Sequence, residues 1–191
     1  MQASAKLFLA KGFAGVSMRE IAAAAHTGVG NIYNYFRSKD HLFCSLVAPA
    51  VRDLETMLEE HHGSCGRDIM DMCDKKYLDC MVSQYTELIF NHSHRLALLL
   101  LKSQGSSLAT FRERFTDRAT SLVKAYFADM KNRHPGICSD VTDFSLRIHT
   151  TWMFTLFEEI IRQRVAAQER RKAITEYLTI EIAGWRELMK I

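Results

Sequence analysis

Apolar residues recur at intervals of three and four along nearly the whole chain, which is the spacing of amphipathic helices. Glycine, proline and short polar segments separate these stretches, for example at residues 134–136. The pattern predicts helices over residues 2–11, 18–25, 29–36, 39–61, 67–91, 95–102, 108–133, 140–165 and 169–190. The predicted fold class is therefore all-α.

The segment 16–43 contains two short predicted helices joined by a tight turn. Ser17 and Glu20 have the spacing of a capping box, in which each side chain accepts a hydrogen bond from the other residue's backbone N–H. His26-Thr27-Gly28 ends the first helix, and His is one of the residue types that tolerate a positive φ. Glycine at position 28 can cap the helix that follows.

The second short helix, predicted over 29–36, carries polar and aromatic residues on its outer faces. Ile32 and Phe36 lie four residues apart and are expected to face a small core. The outward positions are Asn31, Tyr33, Asn34 and Tyr35. Solubility alone does not explain so many amide and aromatic groups on one short helix. The pattern indicates a helix-turn-helix that reads DNA.

A series of short motifs runs through the first forty or so residues. In order, they are Leu7-Phe8, Gly12-Phe13, Ser17, Arg19-Glu20-Ile21-Ala22, Gly30, Tyr33, Tyr35-Phe36 and Ser38-Lys39. Together they resemble the DNA-binding domain of the TetR family of one-component repressors. The turn at 26–28 departs from the family's pattern, which usually has glycine, an apolar residue and often serine there. The chain also begins inside the helix that opens the pattern, which leaves open whether a turn or a basic arm precedes it.

The resemblance implies a three-helix helix-turn-helix DNA-binding domain over 1–46 and a helical effector-binding and dimerisation domain over 47–191. The expected function is a ligand-responsive transcriptional regulator that binds a palindromic operator on double-stranded DNA as a homodimer and is released by a small molecule. A repressor is favoured over an activator. The alternative is a helical protein-interaction module without DNA binding.

The family's motif also implies roles for individual residues. Asn31, with Val29 and Asn34, is expected near base edges, and Gly30 is expected to allow close approach of the backbone. The residues expected at phosphates are Thr27, Tyr33, Tyr35 and Lys39. The complete predicted DNA-binding set is Ser17, Arg19, Thr27, Gly28, Val29, Gly30, Asn31, Tyr33, Asn34, Tyr35 and Lys39.

The positive charge of the chain is concentrated at its N-terminal end. Residues 1–48 hold five basic and two acidic side chains, whereas residues 49–191 hold twenty of each. The whole formal excess of +3 therefore lies in the segment with the DNA-binding motif. A positive excess has the sign that contact with phosphates requires.

The last two predicted helices carry strong apolar stripes, and the first of them is apolar on nearly every side. Two such helices fit one half of a symmetric four-helix interface, although packing within a single chain is the alternative. The predicted interface is Trp152, Leu156, Ile174, Tyr177, Leu178, Ile182 and Trp185. The predicted effector pocket is Tyr77, Met81, Tyr85 and Trp152, since Met and aromatic groups suit an adaptable ligand site as well as a core.

Other features limit the function further. Pro49 is expected to bend or break the helix at 39–61, near the domain junction. No glycine-rich phosphate loop or catalytic signature indicates an enzyme. His61, His62 and Cys65 lie close together, but their spacing matches no standard zinc site, so no metal or cofactor is expected. Five cysteines without a CxxC pair, no signal peptide and no apolar run as long as a membrane span favour a cytoplasmic protein.

Overall fold

The described residues form eight α-helices and no strand, so the predicted all-α class is confirmed. The structure is a computed structural model that describes residues 1–64 and 66–191, with Cys73 described by its backbone alone. The helices are α1 (Gln2–Lys11), α2 (Met18–Ala24), α3 (Val29–Tyr33), α4 (Lys39–His62), α5 (Lys75–Leu101), α6 (Phe111–Arg133), α7 (Asp143–Arg162) and α8 (Ala167–Met189). No helix in these residues is both long and apolar enough to cross a membrane.

The chain divides into two compact units. The N-terminal unit consists of residues 1–52 together with 92–112, and the C-terminal unit consists of 53–91 together with 113–191. No sequence pattern predicted that residues 92–112 pack with the first three helices. The functional boundary expected between residues 46 and 47 remains a prediction, because compactness alone does not assign a role to either part.

Three phenylalanines form the centre of the N-terminal unit. Phe8 and Phe43 are completely buried, and Phe13 is nearly so. The ring of Phe43 meets those of Phe8 and Phe13 edge-on, with centroids 5.2 Å apart in both pairs. Buried aromatic pairs in this geometry stabilise a core beyond the area they remove from water. This cluster holds α1 and the start of α4 together behind the helix-turn-helix.

Residues 102–107 are bonded to the helix-turn-helix within the N-terminal unit. The backbone N–H of Phe13 donates to the carbonyl of Lys102 at 2.9 Å. The carboxylate of Asp40 accepts from the backbone N–H of Ser107 at 2.8 Å and from its hydroxyl at 2.7 Å. These bonds hold the pKa of Asp40 below its ordinary value against the opposing effect of burial. Asp40 therefore joins the first turn of α4 to this loop.

Of the bend or break predicted at Pro49, the break is wrong, because α4 continues through this residue from Lys39 to His62. A proline inside a helix costs roughly 3 kcal/mol. Val47 and Ala50 on either side of it are completely buried. Packing of this buried face offsets the missing hydrogen bond, which a rule based on local sequence does not take into account.

The predicted start of a helix at residue 67 is also wrong, since α5 begins at Lys75. Only a short 3₁₀ helix, Asp71–Cys73, precedes it. Asp68 accepts a hydrogen bond from the backbone N–H of Met70 at 2.9 Å and pairs with His134. Such side-chain bonds compete with helix formation. The break predicted at His92 is confirmed as a kink inside α5, with φ −124° and ψ 15°.

Candidate functional site

The capping box predicted at the start of α2 is confirmed. The backbone N–H of Glu20 donates to the hydroxyl of Ser17 at 3.2 Å, and the backbone N–H of Ser17 donates to the carboxylate of Glu20 at 2.8 Å. Lys11 adds an ion pair with Glu20 at 2.8 Å. Hydrogen bonds from Lys11 and Ser17 lower the pKa of Glu20 to about 2. The first helix of the helix-turn-helix is thus fixed at its N-terminus and tied to α1.

The turn between α2 and α3 is made without glycine at its left-handed position. His26 has φ 50°, as the sequence allowed, and its backbone N–H donates to the carbonyl of Ala23. The N–H of Thr27 donates to the carbonyl of Ala22 at 3.0 Å. Gly28 then serves as the N-cap of α3 in an extended conformation. The atypical His26-Thr27-Gly28 sequence therefore forms a complete turn.

Helix α3 is shorter than predicted and ends at Tyr33 instead of Phe36. Residues 34–36 form a turn in which the N–H groups of Tyr35 and Phe36 both donate to the carbonyl of Ile32. Ser38 follows as the cap of α4, and its hydroxyl accepts from the N–H of His41 at 3.0 Å. The chain must leave α3 early to begin the next helix at Lys39.

The outer face of α3 is polar and accessible. Ile32 is buried beneath it, while Tyr33 at its end is 49% exposed and Tyr35, in the turn that follows, is 73% exposed. Of the predicted DNA-binding residues, the exposed ones are Ser17, Arg19, Gly28, Gly30, Asn31, Tyr33, Asn34 and Tyr35, and the half-buried ones are Thr27, Val29 and Lys39. The Asn31 amide donates to the Thr27 hydroxyl at 3.0 Å, so the two side chains fix each other's orientation. A methyl group added at Gly30 would meet no heavy atom within 4 Å, so the fold itself does not require glycine there.

Lys39 has a structural role that sequence reasoning missed. Its Nζ donates to the backbone carbonyls of Phe13 and Val16, at 2.8 Å each, and lies 4.2 Å from the centre of the Phe13 ring. An ammonium group has three donors, and these two bonds use two of them. A contact between Lys39 and phosphate remains a prediction, and it would involve a side chain already held by the fold.

A cavity lies inside the C-terminal unit, between the second half of α4 and helices α5 to α8. Its empty space is about 1050 Å³ with the open mouth included, and the centre of a water molecule can reach about 130 Å³ of it. Tyr77, Met81 and Tyr85, three of the four predicted pocket residues, line this cavity. Trp152 is a correction, because it is 54% exposed and lies on the outside.

The polar groups of the cavity are few and mostly buried. His61 bonds through Nε2 to the amide oxygen of Gln84 at 2.8 Å. Burial lowers the pKa of His61, and it lowers the pKa of His62 to about 3. No three His, Cys, Asp or Glu side chains in the part of the chain that the structure describes are placed to hold a metal ion, and Cys65 lies outside the described residues.

A second groove lies on the outer face of α7 and α8. It is lined mainly by Phe144, Ile148, Trp152, Ile180, Gly184 and Leu188. Ile180 is 71% exposed, whereas Ile174, a predicted interface residue, is completely buried within the chain. Leu178, predicted with it, is buried too, so neither residue is accessible to a second copy. The four-residue spacing of 180, 184 and 188 is the sequence signal that could have identified this face.

Leu156, Tyr177, Ile182 and Trp185 are half-buried, which leaves each partly accessible. Trp185, with His149 and Glu181, lines both the inner cavity and the outer groove. Its ring lies 5.8 Å from that of Phe127 inside the unit. These three residues therefore form the partition between the cavity and the exposed face.

An exposed polar helix supported by a capped helix and a tight turn is the arrangement found in helix-turn-helix transcription regulators. Residues 1–46 match the model for bacterial regulatory proteins of the tetR family. The match covers the helix-turn-helix, and the fold of the chain is similar to that of solved TetR-family transcriptional regulators. No curated protein matches the sequence.

Several solved structures have this fold at low sequence identity. A member of the TetR transcriptional regulator family from Streptomyces coelicolor A3 has a TM-score of 0.64 and 19% identity, covering 96% of this chain and 89% of that one. NalD from Pseudomonas aeruginosa, the secondary repressor of the MexAB-OprM multidrug efflux pump, has a TM-score of 0.63 and 18% identity over 96% and 92%. The fatty acid degradation regulator FadR from Bacillus halodurans has a TM-score of 0.61 and 13% identity over 93% and 94%.

Proposed function

We propose that this chain is a ligand-responsive transcriptional repressor that binds a palindromic operator as a homodimer and is released by a small molecule. The observation that carries the proposal is the accessible surface of α3 and of the turn after it, where Asn31, Tyr33 and Tyr35 are exposed next to the capped helix α2. A cytoplasmic location accompanies this function, because the operator is on genomic DNA.

The proposed contacts divide into two kinds. Asn31, with Val29 and Asn34, reads base edges in the major groove, where an amide can bond an adenine through two hydrogen bonds. The residues proposed at phosphates are Thr27, Tyr33, Tyr35 and Lys39. In the free protein the Thr27 hydroxyl accepts from the Asn31 amide, and this bond orients the amide before DNA arrives. The positive excess of residues 1–48 has the sign that contact with phosphates requires.

The proposed dimer forms through the outer groove of α7 and α8, with a second copy of this chain as its occupant. Four large apolar side chains are exposed on this face, and such a concentration marks an interaction surface. They are Phe144, Trp152, Ile180 and Leu188. Gly184 lies between the two on α8 and permits close approach of a partner helix. A two-fold dimer would present two copies of α3, which is what a palindromic site requires.

The proposed effector site is the cavity of the C-terminal unit. Helices α4 and α5 contribute residues to both compact units, so a ligand that favours one arrangement of these helices can change the state of the N-terminal unit. The resulting change in DNA affinity equals the ligand's preference for that state. Release of DNA follows if the preferred state no longer matches two successive major grooves.

A salt titration of duplex binding tests this function against the alternative, a helical protein-interaction module. Fluorescence anisotropy with a pool of labelled duplexes measures the association constant. The logarithm of this constant should fall linearly as the logarithm of the salt concentration rises. Tyr33→Ala should reduce the affinity, whereas Tyr177→Phe, a change in the other unit, should not. Absence of any affinity for duplex DNA at low salt would leave the interaction module as the better account.

A further inference from the structure

The cavity contains one carboxylate among the described residues that line it. Glu181 on α8 is 8% exposed. It forms an ion pair with Nδ1 of His149, and Nε1 of Trp185 donates to its Oε2 at 3.3 Å. A carboxylate removed from water is costly unless a counter-charge and hydrogen bonds compensate for the lost hydration. The partner of this carboxylate is a histidine, and no lysine or arginine among the described residues forms an ion pair with it.

The basic residues of the cavity provide no free buried site for an anion, since His149 is already paired with Glu181. Because burial lowers the pKa of His61 and His62, both rings are neutral at pH 7. Arg186 also lines the cavity, but it is exposed, and water and salt screen its charge. An anionic ligand would meet Glu181 without a buried cation to hold it, so the cavity selects against negative charge.

Aromatic rings form a continuous wall from the histidines to the region of the carboxylate. The ring of His62 lies 5.2 Å from that of Tyr126, which is 5.8 Å from Phe127, which is 5.8 Å from Trp185. The faces of such rings attract a cation, most strongly where water is excluded. The same surfaces also provide apolar area against which a flat ligand can pack.

We propose that the ligand of this cavity is an aromatic organic cation whose positive group pairs with Glu181 and whose ring packs against this wall. Its identification as the effector rests on the proposed regulatory function. The arriving cation takes the place of His149 as the partner of the carboxylate, so the negative charge stays compensated. This ligand class is consistent with the apolar lining, the single acid and the neutral histidines together.

Three probes with the same ring system and different charge test the proposal on the full chain. They are 2-naphthylmethylammonium, 2-naphthylmethanol and 2-naphthoate, titrated at pH 7 by calorimetry. We expect the ammonium compound to bind about tenfold more tightly than the alcohol, and naphthoate to bind most weakly. This ranking is measured on the unaltered protein, so it does not depend on whether any variant folds. Equal affinities, tighter binding of the alcohol or of naphthoate, or no binding of any probe would overturn the proposal.

Two variants test whether the preference for the ammonium probe over the alcohol comes from the carboxylate of Glu181. Glu181→Gln should reduce the ratio of ammonium to alcohol affinity to about one and leave alcohol binding nearly unchanged. The matched control is Glu187→Gln, which removes the same charge from an exposed position on the same helix and should keep the ratio. A Glu181→Gln protein that retains the preference would also overturn the proposal.

The same preparations should be assayed for duplex binding, which separates the ligand class from the regulatory function. If the protein binds duplex DNA but does not rank the three probes by their charge, the proposed ligand class alone is rejected. The charge ranking without DNA binding would leave the ligand class in place and reject the proposed regulator.

Discussion

At the scale of single residues, Lys39 connects the stability of the helix-turn-helix to its proposed function. Its ammonium group bonds two carbonyls, of Phe13 and Val16, that follow the end of α1. The same residue matches a phosphate-binding position in the family's motif. A loss of DNA binding on substitution would therefore have two possible origins, and the stability of the variant must be measured first.

Lys39→Ala should lower the free energy of unfolding by about 1–3 kcal/mol, the effect of losing hydrogen bonds from a charged donor. Chemical denaturation followed by circular dichroism measures this difference. Lys6→Ala removes the same group from an exposed position on α1 and should have little effect. Equal stability of Lys39→Ala and the wild type would contradict the structural role of the ammonium.

Asn31→Ala should mainly weaken the preference of the protein for particular DNA sequences. An amide that bonds one base in two places contributes about 1–3 kcal/mol of discrimination at that position. Competition between duplexes that differ at a single base pair measures the loss. Glu20→Gln is the control outside α3. The carboxylate of Glu20 accepts hydrogen bonds from Lys11 and Ser17, and this variant should not alter the preference for particular DNA sequences. An unaltered preference in Asn31→Ala would remove this residue from the base-reading set.

Glu20 also makes a pH-dependent contribution to stability. Because its pKa is lowered from 4.5 to about 2 in the folded protein, its contribution is present above pH 4.5 and is lost as the pH falls toward 2. The difference in stability between wild type and Glu20→Gln should therefore narrow over that interval. Denaturant titrations at several pH values measure this, and a constant difference down to pH 2 would contradict it.

At the scale of helices, the sequence predicted the elements whose ends are set by local bonds. The Ser17–Glu20 capping box and the His26 turn both depend on neighbouring residues, and both are found. The helix is also interrupted at His92, where the sequence predicted the end of one helix before the next. The break at Pro49 and the helix start at residue 67 are not found, because distant packing decides both. Burial of Val47 and Ala50 keeps α4 intact. The approach of His134 to Asp68, 66 residues away in the chain, helps hold residues before α5 out of a helix.

The faces of α7 and α8 show a related limit of sequence reasoning. Periodicity identifies apolar stripes but does not say which stripe faces the core when a helix has more than one. Ile174 belongs to the stripe that packs inside the chain, and Ile180 to the stripe that is exposed. Trp152 was assigned to the pocket from its residue type and to the interface from the apolar stripe it belongs to, and its position on the outer face is consistent with the second assignment alone.

Ile180→Glu should convert the proposed dimer to monomers, because it places a charge in the outer groove. Thr179→Glu introduces the same charge at the adjacent exposed position, outside the groove, and should leave the dimer intact. Light scattering gives the mass of each variant. Dimers of Ile180→Glu as stable as those of the wild type would show that a second copy binds elsewhere.

At the scale of the whole molecule, the N-terminal unit includes residues 92–112 as well as the helix-turn-helix. Asp40 and Phe13 bond this segment to the start of α4 and to the end of α1. The sequence could not predict this, because the bonds join residues that are far apart in the chain and do not form a motif. In the proposed regulator, the helix-turn-helix is therefore held by hydrogen bonds to residues that follow α5 in the chain.

Selection of bound duplexes from a random pool tests whether the protein binds an operator as a dimer. We expect an enriched inverted repeat whose half-sites are one helical turn apart or a multiple of it, about 10–10.5 base pairs per turn. Asn31→Ala should broaden one position in each half-site. Recovery of no common sequence, or of a single half-site without symmetry, would contradict an operator-binding dimer that reads DNA through α3.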